Sequence, residues 1–312
     1  MLLDAGGPDR AAFERSFDIC VIGSGPAGMT LARSLAAQGL DVALMEGGAL
    51  ELTPESQDVY VGANVGLPYH DLDEARVRMF GGSSYHWNGA CRELDPGDFR
   101  DRPNTPLGAW PIGKADLDPW QPGADDILDV SSTAGPDPPL RQSGDVFRLI
   151  HYRFSPPTRF GEKYAGEIDA SERIFLALNA NLVDLRLDAG LRRIEGAVFK
   201  SYVPGDPGFT VRARRYALCC GGIDNARLLL NFTSPPRGGS ATRTTSSGAP
   251  SPNTRPSISA RSSSGGRPRP SGSSSCRPTP SAPRTPPWAS SCASTTSRRR
   301  PPASASSWGS AC

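Results

Sequence analysis

Phe17-Asp18-Ile19-Cys20-Val21-Ile22-Gly23-Ser24-Gly25-Pro26-Ala27-Gly28 decides the fold. The first six residues form an apolar run of the kind a buried parallel strand requires. Gly23, Gly25 and Gly28 then give the pattern G-x-G-x-x-G. Pro26 suits the first turn of a helix, where a missing N–H costs nothing. The helix is expected to run to about Gln38, with Ala27, Leu31 and Leu35 on one face and Gly39 as its stop. Asp41 to Glu46 reads as the next strand. A β-α-β start therefore fits into fewer than 35 residues, and it predicts a doubly wound α/β domain with a parallel sheet.

The same residues suggest chemistry. Gly23 permits a tight turn, Gly25 lets a pyrophosphate approach the backbone, and Gly28 lets the helix pack close to the sheet. Ser24, Pro26 and Ala27 complete the loop. The N-terminus of the helix offers free N–H groups and a partial positive charge to phosphates. Glu46, ending the second strand, can accept hydrogen bonds from ribose hydroxyls and would repel a 2′-phosphate. The fingerprint alone does not separate FAD from NAD.

Further along, residues 50–160 are loop-rich. Ile174 to Leu178 opens a second strand-rich region. Asn181–Leu185, Ala197–Phe199 and Thr210–Ala213 suggest a small β-meander, and Tyr216 to Gly222 a further buried strand. Asn225 to Asn231 reads as a helix, and residues 1–16 as a polar lead.

A second glycine segment, Arg76-Val77-Arg78-Met79-Phe80-Gly81-Gly82-Ser83-Ser84-Tyr85-His86-Trp87-Asn88-Gly89, lies some 50 residues beyond the first. Together with Arg92–Phe99, Trp110-Pro111-Ile112, Asn181-Leu182-Val183 and Ala217–Leu229, it resembles the glucose-methanol-choline (GMC) family of FAD-dependent oxidoreductases. The motifs occur in the family's order over about 215 residues. The resemblance implies that Gly81, Gly82, Ser83, His86 and Asn88 touch the flavin side of FAD and that the Val183 backbone meets the adenine. It also implies that Gly221 and Gly222 close the site. Arg78 is a candidate cofactor contact. It could meet the pyrophosphate, as could Arg76, or both could lie on a solvated strand edge. The His86-Trp87 form is most similar to the pyranose oxidase and fructose or gluconate dehydrogenase branch. In pyranose oxidases a histidine in a Ser-x-His-Trp setting holds the flavin covalently, so Ser84–Trp87 raises that possibility beside a non-covalent contact. His70 and His151 read as surface residues.

The resemblance also shows what is missing. The family's catalytic base is a histidine in the C-terminal half, and no histidine follows His151. No catalytic residue is therefore assigned, and the substrate domain is expected to be absent. From Ser234 to Cys312 there is no acid and no lysine, but eleven arginines, leaving 23 basic and 32 acidic residues before it. Ile258, Trp288 and Trp308 are the large apolar residues of this tail, too few to offset chain entropy, so it is expected to be disordered. Written in GC-rich codons and read two bases later, Arg237 to Ser257 can spell Gly-Leu-Gly-Asn-Ala-His-Asp-Leu-Val-Gly-Arg-Pro-Phe-Ser-Glu-His-Pro. That string resembles the family's continuation. It points to a change of reading frame between about Leu230 and Arg237.

The expected organisation is an incomplete FAD-binding domain over residues 12–233 and a frameshifted tail over 234–312. The expected reaction is oxidation of a CH–OH group on a sugar, polyol or related alcohol, with hydride passing to FAD and an electron acceptor unassigned. Two alternatives stand beside it: a catalytically inactive FAD-binding fragment, and an NAD-dependent dehydrogenase. The seven cysteines show no C-x-x-C spacing, so no metal is expected. No apolar run approaches the roughly 18 residues of a membrane span. Neither a signal-peptide core nor an aromatic-interleaved basic patch is present, so the cytoplasm is expected and nucleic acid is not.

Overall fold

The computed structural model describes residues 1–101, 109–130 and 150–232. In chain order these give β1 (Leu2–Asp4), β2 (Ser16–Ile22), α1 (Pro26–Ala36), β3 (Val42–Met45) and the short α2 (Pro54–Gln57). After them come β4 (Ala90–Cys91), the short α3 (Lys114–Leu117), α4 (Gln121–Leu128), β5 (Arg153–Phe154) and α5 (Phe160–Ala170). The last elements are β6 (Ile174–Leu178), β7 (Asn181–Leu187), β8 (Ile194–Lys200), β9 (Phe209–Leu218) and α6 (Gly221–Asn231).

Seven strands form one sheet in the order β1-β6-β3-β2-β9-β8-β7, and β4 and β5 form a small separate pair. β1, β6, β3, β2 and β9 run parallel to their neighbours, and β8 and β7 are antiparallel. The parallel part follows from the apolar runs. On β2, Ile19 and Val21 face one core while Cys20 and Ile22 face the other. Val42 and Leu44 on β3 alternate likewise with Ala43 and Met45. This two-residue period fills both faces of a covered sheet. α1 and α5 cover one face through Met29, Ala32, Phe160, Tyr164 and Ile168. The other face is covered by Phe13, Leu228, Phe232 and the inner residues of β7–β9. Burying a side chain such as Leu44 contributes about 2 kcal/mol.

Three expectations change. The lead of residues 1–16 is structured: Leu2–Asp4 pair with Leu176–Leu178, the terminal amine of Met1 donates to the Ile174 carbonyl at 3.2 Å, and Phe13 is buried. A three-residue strand gains its stability from the sheet edge it joins, so little in its own residues announces it. The strands expected over Thr210–Ala213 and Tyr216–Gly222 are one strand, β9. Its residues from Phe209 to Val211 pair with β8, and those from Arg212 onward pair with β2. Exposed Arg214 and Arg215 interrupt the apolar pattern without interrupting the ladder. The meander is thus continuous with the parallel sheet rather than appended to it. Finally, α1 ends at Ala36, and the chain reverses through Gly39 at φ +82° with its N–H on the Ala36 carbonyl. The tail expected to be disordered lies outside the described residues.

Candidate functional site

The carboxyl ends of β2, β3 and β9 open onto a cavity of about 700 Å³, within the range of small-molecule sites. Its floor is the fingerprint loop. Gly23 adopts φ +98°, and a Cβ there would stand 2.8 Å from the Cys219 carbonyl oxygen. At Gly28 a Cβ would fall 1.8 Å from the Gly23 oxygen, so α1 can approach the strand end only with glycine at that position. Gly25 is different. It caps α1, and a Cβ on it would meet nothing within 4 Å. Its bare backbone faces open cavity, beside the unpaired N–H groups of the first turn of α1.

The second glycine segment packs on the first, backbone to backbone. Gly81 and Gly82 have φ of +92° and +57°, and a Cβ on Gly82 would lie 3.0 Å from the Gly25 Cα. Ser24 ties the two together. Fully buried, it donates its backbone N–H at 2.9 Å and its hydroxyl at 2.6 Å to Glu46 Oε2, and its Oγ accepts from the Gly81 N–H at 3.2 Å. Glu46 Oε1 accepts from the Gly48 N–H at 2.7 Å. Glu46 lines the cavity while also fixing the loop that forms its floor.

Arg78 closes the cavity beside the end of β3. Its guanidinium donates to the Gly47 carbonyl at 2.7 Å, to Asn181 Oδ1 at 2.8 Å and to the Tyr202 hydroxyl. It shares the cavity wall with Val183, from β7, and with Lys200 and Ser201. Arg76 instead donates to Asp224 at 2.7 Å, and its guanidinium lies 3.9 Å from the centre of the Tyr60 ring. Each arginine is held by defined partners, so the solvated-edge alternative gives way. Burial pushes the Tyr60 phenol up from its ordinary range, with the nearby Asp224 carboxylate adding to the effect. Burial likewise raises the Cys220 thiol to about 12.

Of the residues expected at a cofactor, Gly23, Gly25, Pro26, Ala27, Glu46, Arg78, Gly82, Ser83, Val183 and Gly221 line one cavity. Ser24, Gly28 and Gly81 stand behind its wall and shape it. Gly222 lies in the first turn of α6. His86 and Asn88 are exposed, beyond the 3₁₀ turn Gly82–Tyr85, and are not among the lining residues. Tyr60, Asn181, Tyr202, Asp224 and Arg227 line the cavity without having been singled out as cofactor contacts. Asp224 and Arg227 had a legible signal, an acid and a base three residues apart on a helix. Tyr60 and Tyr202 had none, since one ends a single 3₁₀ turn and the other lies in irregular chain.

A family model described as an FAD binding domain matches residues 18–53. Paromamine 6′-oxidase of Streptomyces fradiae is 26% identical over 242 residues, which cover 68% of this chain and 42% of that protein. These two matches agree with the resemblance to the FAD-binding portion of GMC oxidoreductases drawn from the sequence. Among solved structures, pyridoxine 4-oxidase of Mesorbium loti is 16% identical with a TM-score of 0.44, over 70% of this chain and 52% of that one. A fungal aryl-alcohol oxidase is 12% identical with a TM-score of 0.46, over 70% and 48%. The chain spans about half the length of these relatives or less. The family model matched over the fingerprint is that of an FAD site, which gives FAD as the cofactor. The open backbone at Gly25, the N-terminus of α1 and the Glu46 carboxylate suit a dinucleotide, whose isoalloxazine would supply a hydride acceptor.

Proposed function

We propose that the chain is the flavin-holding half of an oxidoreductase that removes hydride from a CH–OH group of a small sugar, polyol or related alcohol. The observation that carries this reading is the apposition of Gly25 and Gly82. Two glycine segments 57 residues apart meet backbone to backbone at one cavity, leaving room for a pyrophosphate where side chains would obstruct it. The Streptomyces relative is named as an oxidase of paromamine, which supports an oxidase as the parental activity. The His86-Trp87 pair supports the sugar-oxidising branch. The residues from Gly23 to Gly28, with Glu46, Arg78, Gly81–Ser83, Val183 and Gly221-Gly222, are proposed to hold or shape the FAD site.

No residue of this chain is assigned as the proton acceptor, because that group must sit within hydrogen-bond reach of the reacting hydroxyl and no histidine follows His151. A reading-frame change near Leu230–Arg237 accounts for this, and the restored frame would carry the base. The second reading, an FAD-binding fragment without turnover, is favoured by the same missing histidine. Anaerobic mixing of the FAD-loaded chain with sugars and polyols separates the two. Bleaching of the flavin supports the oxidoreductase; a flavin that stays oxidised in this chain and bleaches once the frame is restored supports the fragment. Among the described residues no helix is long and apolar enough to cross a membrane. A cytoplasmic setting with no nucleic-acid partner is the accompanying proposal.

A further inference from the structure

Asp224 lies in the first turn of α6 and is 2% exposed. It accepts from Arg76 at 2.7 Å and from Arg227 Nε at 2.6 Å. Two cations on one buried carboxylate form a strongly held cluster, since losing either partner desolvates charge without compensation. Arg76 reaches Asp224 across 148 residues of sequence, and its other contacts lead away from α6. The face of its guanidinium rests on Tyr60, and its carbonyl accepts from Gln57 Nε2 at 2.6 Å. Gln57 Oε1 in turn accepts from the Arg78 N–H at 3.1 Å, and the Ser56 hydroxyl donates to the Arg78 carbonyl at 2.5 Å. The stretch from Pro54 to Tyr60 is therefore hung on residues 76–78, and Val59 and Tyr60 at its end form part of the cavity wall.

We infer that Arg76, Asp224 and Arg227 form a latch that holds Pro54–Tyr60 against the FAD cavity, which makes Asp224 a positioning residue for retention of the cofactor. Opening the cavity on this side means lifting Tyr60. Tyr60 carries Arg76 with it or leaves its stacking partner, worth from a few-fold in an equilibrium when exposed to about thirtyfold when desolvated. α6 is thus coupled to a segment that precedes it by more than 160 residues. This inference rests on the FAD reading for its functional consequence, but the latch itself is a property of the ligand-free chain.

The test compares the 312-residue chain with Asp224→Asn, which preserves shape and removes the charge. Hydrogen exchange is followed over residues 54–60 without ligand, and FAD release is followed after loading. The latch predicts that exchange and the release rate both rise by about tenfold, the effect of one charge-assisted hydrogen bond. It also predicts that Asp224→Asn combined with Arg76→Gln releases FAD as fast as the single variant. A merely structural aspartate predicts recovery in the double variant, where the more buried of its two cations is no longer stranded, and recovery would overturn the latch. Unchanged exchange over 54–60 would do the same. Should Asp224→Asn fail to fold, Tyr60→Leu removes the stacking platform and leaves the buried charges paired; faster ligand-free exchange over residues 54–58 supports the latch and wild-type exchange refutes it. If the parent takes up no FAD while exchange still responds to Asp224→Asn, the FAD reading fails and the latch stands.

Discussion

Glu46 holds Ser24 twice, at 2.9 Å through the backbone N–H and at 2.6 Å through the hydroxyl, both on one carboxylate oxygen. The pair joins the end of β3 to the middle of the fingerprint loop. Through Ser24 Oγ it reaches the second glycine segment at Gly81. The acid that the sequence assigns to a ribose therefore also sets the shape of the fingerprint loop. Ser24→Ala should lower stability by about 1–2 kcal/mol, the cost of leaving buried partners short of hydrogen bonds. FAD affinity should fall with it, because Gly81 loses its acceptor. Denaturant melts and a flavin fluorescence titration on the same variant check both effects.

Two glycines of the fingerprint should respond in opposite ways. Gly25→Ala adds a methyl group to open space and should leave the melting temperature within a degree or two of the parent. Placed where the pyrophosphate must approach, the same methyl should abolish FAD uptake. Gly28→Ala forces a Cβ to within 1.8 Å of the Gly23 oxygen, so it should cost about 3 kcal/mol or more through overpacking. Circular dichroism melts of the two variants, beside FAD binding, distinguish a lost ligand site from a lost fold.

Asp206 receives Arg10 at 2.5 and 3.0 Å, and the Ser201 N–H and hydroxyl and the Gly208 N–H complete its shell. Arg10 above all, with these donors, holds its carboxyl well below the usual carboxylate range. A folded value below the unfolded one means that stabilisation is fully present above pH of about 4 and is lost as the pH falls through the folded value. Asp206→Asn should therefore cost about 2 kcal/mol at pH 7, and the gap to the parent should close as the pH falls below about 4. Urea midpoints of both proteins across that range test the sign. A gap that widened on acidification would contradict it.

His86 follows the Gly82–Tyr85 turn as an exposed residue and is not among those lining the cavity. This placement favours a flavin held without a covalent bond. Acid precipitation of the FAD-loaded chain should leave all the yellow colour in the supernatant. Colour retained in the pellet and lost in His86→Ala would establish the covalent link instead.

The parallel core was legible because its information is local. Unbroken apolar strands, a helix opened by Pro26 and closed near Gly39, and glycines where backbones must touch each state their purpose within a dozen residues. Ser24, Glu46 and the glycines were identified for the same reason, and the cavity brings most of them together. What was hidden depended on partners far away in sequence. β1 is three residues long and exists through pairing with β6. β9 reads as two strands because Arg214 and Arg215 are exposed within a ladder that continues past them. Tyr60 and Asp224 gain their places at the cavity through Arg76, and no spacing in the chain joins those three positions.

The most direct test of the account is a flavin measurement on the purified chain. The protein is incubated with excess FAD, passed through gel filtration and read for flavin absorbance, with Gly25→Ala treated alongside. The account predicts stoichiometric flavin eluting with the parent and none with the variant, both still melting cooperatively. A parent that melts cooperatively yet elutes colourless, or a Gly25→Ala chain that binds as well as the parent, would contradict it.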